Sequence, residues 1–223
     1  MMALMPIYWM VSTSIKYRED ALAIPPKLIF TPTLDNYFGM ANTTRLGYEK
    51  SYAVSHIWEV FVKSYGNSII ISLSATALGL CLGVPASYGL ARFRFKGREN
   101  IAFFILTSSM VPAIAVVIPL FHMFKQFHLV DTHLSLVIVY AIMNLALITW
   151  MMRSFIQDIP IELEESAQVD GCTRFQGFIK IILPLIIPGI AATAILSFIW
   201  CWNEFLFAFV LTLDKAKTVT VTS

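Results

Sequence analysis

The chain has 223 residues, of which 57% are hydrophobic and only 13% charged. So few charges cannot cover the surface of a water-soluble domain, and 17 Phe and 5 Trp exclude a disordered chain, which would be poor in apolar residues. Sixteen basic against fourteen acidic residues leave a formal charge of +2, too small to argue for nucleic acid, so the composition points to an all-α integral membrane protein.

A helix needs about 20 mostly apolar residues to cross the hydrocarbon core. Residues 1–15 are apolar but shorter than that. Without the basic start and small-residue cleavage site of a signal peptide, they read as the outer part of a transmembrane helix whose beginning is absent. Residues 16–65 carry mixed charge and read as a segment outside the membrane. Within it Ile57, Trp58, Val60 and Phe61, set among polar residues, predict an amphipathic helix over 51–63 lying on the outer surface. Charge-free runs at 66–90, 101–124 and 134–152 predict three spans, and a fourth runs from Ile181 to residue 204. Pro112 and Pro119 in the second span, and Pro184 and Pro188 in the fourth, share helix faces and remove backbone donors. Kinks that shape a cavity and plain tolerance of proline are equal readings. The apolar run 205–213 is too short to cross and, with the polar 214–223, reads as the start of an outer loop, so residues are expected to be missing at both ends.

Basic residues set the orientation. Arg92, Arg94, Lys96 and Arg98 crowd one short loop, whereas residues 125–133 hold only Lys125, so the former loop is expected to be cytoplasmic. Alternation then places 153–180 inside and 16–63, 125–133 and 214–223 outside. Cys81, Cys172 and Cys201 are far apart, with no spacing for zinc or a dithiol, and read as packing residues.

The loop 153–180 reads as helix, glycine turn, helix. Pro160 suits a first turn, and Glu162, Glu164 and Glu165 follow where the helix dipole favours negative charge. Gly171 marks the left-handed position beyond a C-cap, and Thr173 with Gln176 forms a capping box for a second helix whose Phe175, Phe178, Ile179 and Ile182 lead into the membrane. On periodicity alone this is a compact turn with solvated acids. Its spacing adds more: Glu165-Ser166-Ala167, then Gly171, then Ile181, Leu183 and Pro184 fall at the intervals of the EAA signature, with Ser166 in place of the first alanine.

On those residues the chain resembles a permease subunit of a bacterial carbohydrate ABC importer, similar to the second membrane subunit of the maltose type. The likeness extends to PIYWMVSTSIK, PPKLIFTPTLDNY, YGLARFRFKGR, VPAIAVVIPLF and AILSFIWCWNEFLFA, in that order along nearly the whole chain. It implies a type I importer permease fold with a six-helix core, here with a partial first helix and no last one, in the bacterial inner membrane. It implies that residues 161–171 are a coupling helix seated in a groove on a cytoplasmic ATPase dimer, engaging it through Leu163, Glu165, Ser166, Ala167, Asp170 and Gly171. Leu163 and Ala167, four residues apart, would share the contacting face. The expected partners are a homologous second permease, the ATPase pair, an extracytoplasmic solute-binding protein, the sugar and membrane lipid. The chain has no phosphate-cradling glycine loop, so ATP and Mg are expected on the ATPase, and no cofactor, metal or catalytic residue on this chain.

The polar residues of the spans are candidates for the sugar pathway. Asn144 lies mid-span, facing either sugar or a neighbouring helix. Counting about 1.5 Å per residue from Pro184 puts Glu204 roughly 30 Å on, near the outer interface, where Asn203 and Glu204 would gate or meet sugar, or simply sit at the interface beside Trp200 and Trp202. By the resemblance, Lys215 and Lys217 lie near the binding-protein contact. His128, Asp131 and His133 lack the number and spacing of a metal site and read as ordinary loop residues. An ATP-independent secondary transporter would carry ionisable residues inside its spans, and the clear spans between 66 and 152 contain none beyond His122 near an end. An ABC permease for a non-sugar, acidic or phosphorylated cargo is the remaining alternative.

Overall fold

A computed structural model describes residues 5–25, 27, 29–34 and 51–222, with the backbone alone at 18, 19 and 51–57. The described residues are helices and connecting turns with no strand. The chain divides into two units, residues 1–63 and 64–223.

In the first unit α1 (Met5–Ser14) and α2 (Arg18–Ala21) flank Lys16, whose side chain is buried. Its ammonium donates to the Lys27 carbonyl at 2.7 Å and lies 4.6 Å from both the Trp9 and Phe30 rings, so a carbonyl and two π faces replace its water. The Thr33 amide donates to the Ile15 carbonyl. Part of the expected outer segment, residues 35–50, lies outside the described residues. Helix α3 is a single 42-residue element, Ser51–Arg92. The expected surface helix over 51–63 is therefore helical but runs on into the span without a break, because no Pro, Gly pair or cap interrupts it there.

In the second unit α3 packs against α6 (His133–Gln157) through small residues. A Cβ on Gly79 would lie 2.8 Å from Ile148 Cδ1, and one on Gly83 would lie 2.5 Å from Ile148 Cγ2, so only glycine permits this approach. Between membrane helices, where lipid is as apolar as Leu, such close contact supplies the packing energy. Gly189 makes the same provision for Phe155. Thr132 caps α6, accepting from the Ser135 amide.

Two of the expected spans are broken. In place of one helix over 101–124 there are α4 (Arg98–Ser108) and α5 (Ala113–Gln126), bent by 90°. Pro112, which has no N–H and disfavours a helical residue before it, is the N-cap of α5, whereas Pro119 lies inside α5. The fourth span divides likewise into α8 (Arg174–Leu185) and α9 (Ile187–Asn203), bent by 71°. Pro188 cannot donate to the Pro184 carbonyl, and Phe178–Ile182 inside α8 winds as a π turn. The 30 Å count to Glu204 along one straight helix does not hold across this bend. α3, α6 and the two bent pairs are each long and apolar enough to cross a membrane.

The run after residue 204 is not an outward loop at its start. It forms α10 (Leu206–Leu211), packed on α5 and α6 with Phe207, Ala208 and Leu211 buried, because its apolar side chains find a site among the spans. A last short helix, α11 (Val219–Thr222), follows. The core has two apolar clusters, one around Ile71, Leu136, Tyr140 and Phe207 and one around Tyr88, Ile148, Ile156 and Phe178.

Candidate functional site

The short acidic helix α7 (Glu162–Val169) is held at both ends. Its first turn forms as the Leu163 amide bonds the Pro160 carbonyl and the Glu164 and Glu165 amides bond Ile161, so Pro160 lies just ahead of the helix, whose N-cap is Ile161. At the other end Asp170 is the C-cap and Gly171 adopts φ 88°. The Cys172 amide reaches the Ala167 carbonyl at 2.9 Å and the Gly171 amide reaches Gln168 at 3.1 Å, the two bonds of a Schellman turn. One residue later Thr173 and Gln176 form the reciprocal capping box read from the sequence.

What fastens α7 to the spans is Glu164. Its carboxylate pairs with Arg92 at the end of α3 and accepts from the Tyr88 hydroxyl at 2.9 Å. Arg92 also donates to the Ile159 carbonyl at 2.7 Å, tying the connection that enters α7 to the same cation. Both charged side chains are under 10% exposed. Tyr88 meets Phe93 edge to face and packs at a tilt against Phe178, and Arg174 lies over Phe93. Nearby, Arg153 on α6 donates twice to Glu99 on α4, at 2.7 and 3.0 Å.

The buried side of α7 is Glu164 with Ala167, one turn apart. This corrects the pairing of Leu163 with Ala167 on one contacting face: Ala167 turns toward its own chain, while Leu163, Glu165, Ser166, Asp170 and Gly171 are exposed. Ser166 returns its hydroxyl to the Glu162 carbonyl at 2.8 Å. Ile161, Leu163 and Val169 are exposed apolar side chains spaced around α7, and Val169 is 88% exposed. Glu164, Arg92 and Tyr88 were missed by sequence reasoning; the signal available was a helical triple of acids in which only one could face inward.

Asn144 is buried between α6 and α9, donating to the Tyr140 carbonyl and to Cys201 Sγ at 3.1 Å, so its amide bridges helices. Glu204 is placed as a cap. Its carboxylate accepts from the Phe207 and Ala208 amides at the start of α10 and from the Tyr140 hydroxyl at 2.9 Å. Asn203 is exposed and bonds back to Ile199. Lys215 and Lys217 lie in the turn after α10, and their carbonyls each accept from Asn67 Nδ2 at 3.0 Å. Because that amide nitrogen faces the two carbonyls, Asn67 Oδ1 faces His133, which donates through Nε2 at 2.9 Å.

Asp131 proves to be more than a loop residue. At φ 62°, a left-handed conformation that Asp tolerates, its Oδ1 accepts the successive amides of residues 213–216 at 3.0–3.2 Å. Its own amide donates to the Leu211 carbonyl. Partial burial pushes its carboxyl upward, but the amides of Leu213, Lys215, Ala216 and Asp214 outweigh that and hold it below the ordinary range. A stripe of Ser64, Ser68, Ser72 and Thr76 on α3 is buried as well, and Ser64 and Ser68 bond Thr222 and the Val219 amide. No group of three metal-binding side chains occurs among the described residues.

Helices long and apolar enough to cross a membrane, with a short acidic helix fastened to them by a buried ion pair, are the architecture of a membrane permease subunit. The chain belongs to the family described as binding-protein-dependent transport system inner membrane component, whose model matches residues 55–221. It is similar to the trehalose transport system permease protein SugB of Mycobacterium tuberculosis, 35% identical over 96% of this chain and 72% of that one. It is also similar to the diacetylchitobiose uptake system permease protein DasC of Streptomyces coelicolor, 32% identical over 89% and 67%. A crystal structure of a bacterial ABC transporter involved in the import of the acidic polysaccharide alginate matches with TM-score 0.72 and 26% identity, covering 98% of this chain and 72% of that one.

Proposed function

We propose that this chain is the permease subunit of an ATP-driven carbohydrate importer, forming half of the translocation pathway beside a homologous second permease. α7 is its coupling helix. The observation that carries this reading is a helix of 8 residues, too short to stand alone, anchored inward by the buried Glu164–Arg92 pair while Ile161, Leu163 and Val169 face outward. Those exposed apolar side chains suit a helix that is wrapped by a groove on a cytoplasmic ATPase, with Leu163, Glu165, Ser166, Asp170 and Gly171 at or beside the contact and Ala167 holding the inner side. Because the contact is small, motion passes through a rigid fit rather than a large buried area. ATP and Mg act on the ATPase, whose closure drives alternating access. A solute-binding protein delivers cargo to the far end, where Asn203 is exposed and the 213–217 turn carries Lys215 and Lys217. The relatives named for trehalose and diacetylchitobiose support a sugar as cargo.

The test is the reconstituted complex with its ATPase and binding protein, assayed for ATP-dependent uptake of trehalose, diacetylchitobiose, an alginate oligosaccharide and a phosphorylated polyol. Uptake of a saccharide that requires ATP supports the proposal. Uptake without ATPase, or of the polyol alone, overturns it.

A further inference from the structure

Two cations in the turn between α3 and α4 remain free once the elements around α7 are assembled. Of the basic residues there, Arg92 is taken by Glu164 and the Ile159 carbonyl, and Arg98 by Glu99. Arg94 and Lys96 are exposed and have no ion-pair or hydrogen-bond partner among the described residues. With Arg98 they line a cavity of about 560 Å³ formed by residues 94–100, around Gly97 at φ 89°. The single carboxylate on that lining, Glu99, is neutralised by Arg98 and Arg153. The site is therefore net positive.

Its setting identifies what fills it. The turn follows α3, which is long and apolar enough to cross a membrane, so it lies at the level of the lipid headgroups. Phe93 and Phe95 alternate with Arg94 and Lys96 and are both exposed, and α4 continues with exposed Ile101, Phe103 and Phe104. Aromatic rings at the interface, cations beside them and apolar side chains one turn further on match the three layers of a lipid: glycerol region, phosphate and acyl chain. A free phosphate would have no use for the rings or for Phe103 and Phe104. We infer that residues 94–98 hold the headgroup of an anionic phospholipid, with Arg94 and Lys96 as its phosphate ligands.

The experiment uses the assembled permease–ATPase complex in detergent, titrated with phosphatidylglycerol or phosphatidylcholine, with retained lipid counted by native mass spectrometry. Juxtamembrane cations each contribute enough that losing two weakens anionic lipid roughly 30-fold. Arg94→Gln with Lys96→Gln should therefore weaken phosphatidylglycerol by about that factor and leave phosphatidylcholine unchanged, while Arg94→Lys with Lys96→Arg retains binding. High salt should release phosphatidylglycerol from the unsubstituted complex, a readout independent of how any variant folds. Salt-insensitive binding, or an equal loss of both lipids, overturns the inference. So does loss of the ATPase with lipid retained, which would make the turn a protein contact.

Discussion

Glu164→Gln removes the charge opposite Arg92 while keeping the side chain's size. The guanidinium it leaves is about one-tenth exposed and has only neutral acceptors, the Ile159 carbonyl and the new amide oxygen, in place of its countercharge. Removing one member of a buried ion pair costs about 3–5 kcal/mol, because the other is stranded away from water. The helix this pair fastens has 8 residues, with no cooperative length of its own to fall back on. The lower figure alone reduces the docked population of α7 roughly a hundredfold relative to undocked forms. The effect is thus local: the spans stay folded, and α7 loses its fixed position. Two measurements follow it, amide hydrogen exchange over residues 163–170 and uptake per ATP hydrolysed in the reconstituted complex. Glu164→Gln should speed the exchange about a hundredfold and lower the uptake ratio. Glu165→Gln, an exposed change, should alter both little. Replacing the pair together, Arg92→Met with Glu164→Leu, should recover part of the protection, since no charge is then stranded although the Tyr88 hydroxyl and the Ile159 carbonyl lose their partners. If Glu164→Gln and Glu165→Gln behave alike in both assays, the anchoring argument is wrong.

Gly83→Ala puts a methyl 2.5 Å from Ile148 Cγ2, and that branch, close to its backbone, cannot swing aside. A loss of about 1–3 kcal/mol in thermal stability is expected, and Gly83→Ala should cost much less when added to Ile148→Ala than when added to the unsubstituted chain, because the clash is then gone. The Cβ of Gly171→Ala meets no neighbour, so its cost is the left-handed backbone alone, about 1–2 kcal/mol, and it should weaken ATPase retention without altering assembly of the spans. Because the Asp131 carboxyl titrates below its ordinary value of about 4 in the folded state, its stabilisation is full above that pH and is lost as pH falls through the lower folded value. Melting temperatures of the unsubstituted protein and Asp131→Asn should accordingly differ by a constant amount from pH 5 to 7 and converge in stronger acid. A gap that persists unchanged at pH 3 would refute it.

Much of this was legible from residue order. The spans follow from charge-free length, and the Gly171 turn and Thr173 box follow from local backbone chemistry, which depends on a few neighbouring residues. The bends were legible only as possibilities, because Pro112 and Pro119 look alike in sequence yet one caps a helix and the other lies inside it. What a helix end does with an acid was not legible. Three glutamates lie in the first turn of α7, and choosing Glu164 as the inward one requires knowing that Arg92, 72 positions earlier, ends beneath it. Asp131 was hidden for the same reason: its donors are 82 to 85 positions away and are backbone amides, which carry no residue signature. Glu204 read as an outward group from a straight-helix count, and the 71° bend with the start of α10 gave it a backbone to cap instead.

α6 runs unbroken for 25 residues between neighbours that are bent, a span of about 37 Å. At its first turn it adjoins the Asp131 clamp and, through His133, the Asn67 bracket that grips the 213–217 turn. Near its last turn it carries Arg153 and leads directly into the connection that Arg92 grips at Ile159. It is in effect a piston rod with a fitting at each end. An axial shift at one fitting would reach the other with no bend in α6 to take it up.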